Sequence, residues 1–169
     1  MSYIEKIAKE FPVGNAAGWC KSVKEVSNLA ASAAQFIVVG SITAEERQGN
    51  PGNTFDGESL NSLGMPNLGI EKIIQIGPQM IRIAHKAGKA IILNVAAVQS
   101  LTEFKELVSL AVTTGFDGVE LNTGCPNLVV EGKRKPIASH DPSLVGEIAN
   151  QSKDIAKYLK PTTISVCLS

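Results

Sequence analysis

Short apolar runs alternate along the chain with stretches in which apolar residues recur every three or four positions. Phe36–Val39, Ala90–Val95, Gly118–Leu121 and Thr163–Leu168 are rich in β-branched residues, nearly free of polar ones and bounded by turn formers. That is the pattern of strands buried on both faces. A further strand is expected earlier, over Val13–Ala17. The intervening stretches carry helix signals. Ser22-Val-Lys-Glu25 is a capping box, in which hydroxyl and carboxylate satisfy orphan backbone donors reciprocally. The helix it opens places Val23, Val26, Leu29, Ala30 and Ala33 on one face. Ser100 and Glu103 repeat the device ahead of Phe104, Leu107, Val108 and Ala111, and Gly115 is the expected terminator. Asp141-Pro142 reads as an N-cap followed by proline at the first helical position, with Leu144, Val145, Ile148, Ile155, Ala156 and Leu159 continuing the apolar face. Ile70–Ala87 is helical in pattern, and Gly77-Pro78 is expected to kink it or split it in two.

Five strands and four helices in strict alternation predict an α/β fold of parallel strands joined by right-handed crossovers. An open doubly wound sheet and part of a (β/α)8 TIM barrel both satisfy the pattern. No internal repeat, linker or low-complexity segment divides the chain, so residues 1–169 read as one domain or a large piece of one.

Composition narrows the function classes. With 169 residues, 44% hydrophobic, the chain can bury a core but not two ordinary domains. Sixteen basic residues balance sixteen acidic ones, and aromatics are few (one Trp, two Tyr, five Phe). This argues against a nucleic-acid or anionic-membrane partner. No apolar run reaches the ~18 residues of a membrane span. Met1–Phe11 contains Glu5 and Glu10 and has no apolar core of a signal peptide. Cys20, Cys125 and Cys167 are odd in number and lack metal-ligand spacing. A reduced, cytoplasmic protein without a metal site is expected.

In both architectures function lies at the carboxyl ends of the strands, and the unusual residues fall there. Gly14-Asn-Ala-Ala-Gly18 could let a planar ligand lie against the backbone, or be a plain turn; its glycine spacing is not a dinucleotide fingerprint. The long connection Ser41–Leu68 has the length of a functional lid and carries Arg47, Gly49-Asn-Pro51 and Asn61. Asn61 is either a turn residue or an amide offering donor and acceptor to a polar ligand. Asn122, Cys125 and Asn127 cluster after the fourth strand. Cys125 reads equally as a small buried hydrophobe or as a base acting through its thiolate. Cys20 and Cys167 are assigned structural roles.

Together GNAAGWC, VGSITAEERQGNP, LNSLGMPNLG and ELNTGCPN, in this order and spacing, closely resemble the soluble class 1 dihydroorotate dehydrogenases. The likeness runs from about Phe11 to Ser169. It implies the amino-terminal part of a (β/α)8 barrel that binds FMN and oxidises dihydroorotate to orotate in pyrimidine synthesis. By position, the resemblance makes Cys125 the catalytic base. It makes Asn61, Asn122 and Asn127 substrate-gripping amides, and Ala16, Ala17, Gly18 and Asn94 flavin-contacting residues. A buried cage of amides rejects ligands that leave its polar groups unpaired.

Three positions depart from that family. Gly40 and Cys167 stand where it has lysines, and Thr54 where it has an arginine. Lys133-Arg-Lys135 is either replacement charge or a solvated loop; His85 and His140 are expected in surface or capping roles. The expected length of such a barrel, ~250 residues, leaves the second half unaccounted for. A homo-oligomer, or completion by a carboxyl-terminal half, is therefore expected. Two alternatives stay open: a noncatalytic barrel fragment or assembly module, and a flavin enzyme for another dihydropyrimidine or enone.

Overall fold

The computed structural model describes residues 12–58, 61–159 and 163–167, with side chains as far as residue 155. The expectations for Met1–Phe11 and Leu168, the side chains of Ala156 and Leu159, and that of Cys167 lie outside this range.

Helix α1 spans Val23–Ala30 and strand β1 Phe36–Ile42. Helix α2 (Gly69–Lys86) leads to β2 (Ala90–Val95), and α3 (Thr102–Thr114) to β3 (Gly118–Asn122). A two-stranded antiparallel hairpin, β4 (Val129–Val130) with β5 (Lys133–Arg134), and a 3-10 turn at Ala138–His140 precede α4 (Pro142–Leu159) and β6 (Thr163–Cys167). The main sheet has the order β1-β2-β3-β6 and every pairing is parallel. Each new strand adds on the same side as the last. A doubly wound sheet reverses direction at a switch point, so the order selects the other architecture: an arc of a (β/α)8 barrel.

The core lies between this sheet and the helices. Ile37, Val39, Ile91, Leu93, Val119 and Leu121 are buried against Ile73, Met80, Phe104, Leu107 and Val108. On α2 the buried residues Ile70, Ile73, Gly77, Met80 and Ala84 recur at helical spacing. That stripe faces the sheet.

The caps behave largely as expected. Ser22 and Glu25 form the reciprocal box, and Asp141 Oδ1 accepts from Ser143 N and Leu144 N at 3.0 and 3.2 Å. Gly115 closes α3 in the left-handed conformation, φ 105°. At Ser100 only half the box forms. Glu103 reaches back to Val98 N, Gln99 N and Ser100 N, but the Ser100 hydroxyl bonds Thr102 Oγ1 instead of capping the helix.

Two expectations are corrected. Helix α2 runs unbroken through Pro78. Proline normally crowds the Cβ of the residue before it, and Gly77 has none. A Cβ at Gly77 would also meet Thr114 Cγ2 at 2.8 Å, so the glycine lets α2 close on the end of α3. The strand expected over Val13–Ala17 is reduced to one bridge, Gly14 to Phe36. The Asn15 side chain replaces the ladder: its Oδ1 accepts from Val38 N at 2.9 Å and its Nδ2 donates to Val38 O at 2.7 Å. An amide side chain thus imitates a neighbouring strand at Val38, and the backbone rejoins β1 at Gly18, whose N–H donates to Gly40 O.

Candidate active site

Side chains two apart on a strand share a face. Phe36 and Val38 of β1 and Glu120 and Asn122 of β3 line one side of a cavity of about 510 Å3. Three loops complete its wall: Asn15–Gly18 with Lys21, Asn61–Pro66, and Gly124–Asn127. Ala16, Ala17, Gly18, Asn61, Asn122, Cys125 and Asn127 therefore line a single cavity. Asn94 does not reach the wall. It is fully buried on β2 in register with Glu120, and its Nδ2 donates to Glu120 Oε1.

The long connection after β1 folds back on itself. Its legs pair antiparallel at Arg47 with Asn67 and at Phe55 with Asn61, and Asn50 N donates to Leu63 O at 2.9 Å. Asn67 anchors the base: Oδ1 accepts from Thr43 N and Gly69 N, and Nδ2 donates to Thr43 Oγ1 and Met65 O. Buried polar groups of this kind cost stability unless paired, and Asn67 satisfies several at once. The fold-back is stitched to the loop after β3. Asn50 Nδ2 donates to Asn127 O at 2.8 Å, Asn127 Nδ2 to Asn61 O at 2.7 Å, and Arg47 to Val129 O at 3.1 Å.

These bonds determine which polar atoms remain for a ligand. Asn122 Nδ2 donates to Ser41 Oγ at 2.9 Å and its Oδ1 accepts from Gly124 N at 3.2 Å. Asn127 thus keeps one N–H beyond the bond that positions it, whereas the second Asn122 N–H is turned toward Met65 Sδ at 3.9 Å, a weak acceptor that a ligand oxygen could replace. The Asn61 amide has no partner among the described residues and is exposed toward the opening. Cys125 is half-buried beside Pro126 and borders a second, mostly apolar cavity of about 420 Å3 reaching Leu144 and Ile148 of α4. The arrangement can hold a flat polar molecule between small residues and amides, with a thiol at its edge.

Cys20 contrasts with Cys125. It is fully buried, and burial, helped by the nearby Glu25 charge, pushes its thiol up to about 12. It stays protonated, as a structural residue should.

The departures have structural counterparts. Gly40 has φ 119°, and a Cβ there would lie 2.4 Å from Asn94 O of β2. A lysine cannot occupy this position without separating the strands. Thr54 lies on a leg of the fold-back, where its carbonyl accepts from Ser62 N, and does not line the cavity. Cys167 pairs in register with Asn122. Lys133 and Arg134 are exposed in the β4–β5 hairpin, whereas the Lys135 ammonium is tied to Val98 O. His85 lies at the opposite end of the strands, 2.9 Å from Asp117. His140 is exposed in the 3-10 turn.

Five contributors escaped the sequence reading: Asn15, Lys21, Ser41, Asn67 and Glu120. Asn67 carried the one available signal, a second asparagine after Met65-Pro66 just ahead of a helix start. The others are recognisable only once the loops meet.

The stretch Ala16–Gly18 has small side chains that suit the face of a planar ring such as an isoalloxazine. A Cβ built on Gly18 meets nothing within 4 Å, so this stretch leaves a shelf open for a planar group. Asn94 Oδ1 is buried without a donor among the described residues, but it lies beneath the wall and does not face the cavity.

A family profile for dihydroorotate dehydrogenase matches residues 4–164. Among curated relatives, a dihydroorotate dehydrogenase (fumarate) of Saccharomyces paradoxus is 33% identical over 162 residues, covering 93% of this chain and 49% of that protein. A dihydroorotate dehydrogenase A (fumarate) of Lactococcus lactis subsp. cremoris is 32% identical over 133 residues, 69% of this chain and 39% of its own length. The catalytic subunit of a dihydroorotate dehydrogenase B (NAD(+)) of Endomicrobium trichonymphae is 30% identical over 125 residues, 72% and 38%. The chain spans about half the length of the curated relatives it matches, or less.

Proposed function

The chain belongs to the dihydroorotate dehydrogenase family, and from this premise we propose that it forms the substrate-gripping part of an FMN-dependent oxidoreductase converting dihydroorotate to orotate in pyrimidine biosynthesis. The observation that carries the proposal is the single cavity whose wall joins Ala16-Ala17-Gly18, three asparagine amides and the Cys125 thiol. The Ala16–Gly18 shelf would hold FMN, which when bound supplies the acceptor for the substrate's hydride.

Cys125 removes a ring proton through its Sγ, in the thiolate form. Asn61, Asn122 and Asn127 hold the ring's carbonyl and N–H groups. Asn122 is fixed by Ser41 and Gly124, and Asn127 by the Asn61 carbonyl, so both amides are oriented before the substrate arrives. Such preorganisation keeps the reacting carbon near the base without further ordering cost. The fold-back shields the cavity from one side, reducing water access to the thiol.

Polypeptide corresponding to the other half of the relatives, in a second copy or a completing chain, would supply the rest of the barrel and the grip on the FMN phosphate. The reading puts this work in the cytoplasm, which the free thiols Cys20 and Cys125 support. No helix among the described residues is long and apolar enough to cross a membrane.

Alkylation of Cys125 tests the reading independently of turnover. Orotate at saturation is expected to slow iodoacetamide labelling of Cys125 several-fold, read by mass spectrometry, while Cys20 remains unlabelled in the folded protein. Equal labelling with and without orotate would contradict the proposal. Gly40 favours a second reading, in which the missing lysine turns the site toward a neutral dihydropyrimidine or enone.

A further inference from the structure

Lys21 stands in the cavity wall between Cys20 and the cap of α1. It is half-buried, and it is the one cationic side chain among the residues lining this cavity. Its Nζ donates to Pro66 O at 2.7 Å, a neutral acceptor, and no carboxylate lies within ion-pair distance of it among the described residues. Glu25 is bonded to the Lys21 backbone N–H, at 2.7 Å, and to Ser22 rather than to the ammonium. Burial lowers the Lys21 pKa, with the charge of Glu25 opposing that shift. An ammonium withdrawn from water without a counter-ion is unfavourable unless something anionic joins it.

The surroundings offer the same vacancy of charge from another direction. Pro66 follows Gly64 and Met65, both in left-handed conformations with φ 70° and 58°. The backbone N–H groups of Leu63, Gly64 and Met65 donate to no partner among the described residues. Successive backbone N–H groups in a turn form a concavity that favours anions. Nζ keeps two of its three N–H bonds after Pro66 is served. β1 cannot provide a cation, because Gly40 has no room for a side chain.

We propose that Lys21 is the counter-ion for an anionic group, a carboxylate, on the planar ligand held by the three asparagines. It is then a specificity-determining residue that selects a carboxylated pyrimidine over its neutral analogue. This rests on the functional reading above and deepens it: the charge absent from β1 enters the cavity from the loop before α1.

The test compares orotate with uracil, the same ring without the carboxylate, by isothermal titration of the FMN-supplemented chain. Lys21→Met is expected to weaken orotate about tenfold or more, the size of one lost charge-assisted bond, while uracil stays within twofold. Lys21→Arg is expected to restore most of the difference. Orotate, but not uracil, is expected to raise the Lys21 titration followed by NMR at Cε, a shift that a purely structural lysine would not show. If Lys21→Met leaves orotate unchanged, or weakens both ligands equally, the assignment of Lys21 is overturned while the functional reading stands. If the wild-type chain takes up neither ligand, the functional reading falls and this inference with it.

Discussion

Replacing Gly40 by alanine probes the junction on which the site depends. At φ 119° a side chain costs on the order of 1–3 kcal/mol in backbone strain alone. The added Cβ would also lie 2.4 Å from Asn94 O and 3.0 Å from Ile42 N, both backbone atoms that no rotamer change can move. Overpacking of this kind adds roughly 1–3 kcal/mol. The sum, about 2–6 kcal/mol, corresponds to a fall in Tm of roughly 4–24 °C for a chain of this size. Gly88→Ala is the matched control. Gly88 also has positive φ, 74°, but a Cβ there meets nothing within 4 Å, so only strain of about 1–2 kcal/mol is expected. Thermal unfolding followed by circular dichroism should place Gly40→Ala at least several degrees below Gly88→Ala. Ser41 follows on the same strand and holds Asn122, so orotate affinity should fall in the Gly40 variant at temperatures where it is still folded. If the two variants melt together, β1 and β2 do not approach as described, and the explanation for a glycine at this position is wrong.

Other consequences follow from the caps and the fold-back. Asn67→Ala removes the amide that serves Thr43, Met65 and Gly69, and should cost about 2–4 kcal/mol. Hydrogen exchange should then quicken across 43–69 before the helices respond. Ser22→Ala should cost about 1 kcal/mol, read from urea midpoints, through loss of the N-cap bond to Glu25 N. The Glu25 carboxyl sits below its usual range. Its slight burial opposes this, but bonds from Lys21 N and from the Ser22 N–H and hydroxyl prevail, with the charge of Lys21 assisting. Its contribution is therefore present above the unfolded glutamate value, about 4.3, and lost as pH falls through the lower folded one. Glu25→Gln should flatten the acid side of the stability curve and leave its neutral side parallel to wild type.

Strand cores and helix caps were legible because they rest on local rules. Ala90–Val95 forms with the ends expected, and Asp141 and Gly115 cap the helices they flank. The expectations that failed locally were settled by tertiary partners. Pro78 is accommodated by a glycine that also admits Thr114, and Asn15 replaces a strand with one side-chain amide. The sequence pattern could not choose between barrel and open sheet, since only the order of strands in space distinguishes them. Within the candidate site, the motifs named residues that do line one cavity, except Asn94, which lies beneath it. Asn67 and Lys21 went unnoticed because their importance lies in bonds made across 24 and 45 positions of chain, to Thr43 and Pro66.

In the proposed reaction the thiol at the cavity edge takes a proton from a molecule lying across the Ala16–Gly18 shelf. Anaerobic mixing of the FMN-loaded protein with dihydroorotate tests it most directly, with loss of the oxidised flavin's visible absorbance as the signal. Bleaching in wild type, and its loss in a Cys125→Ala protein that still retains its flavin, is the predicted result. Bleaching at the wild-type rate in Cys125→Ala would contradict it.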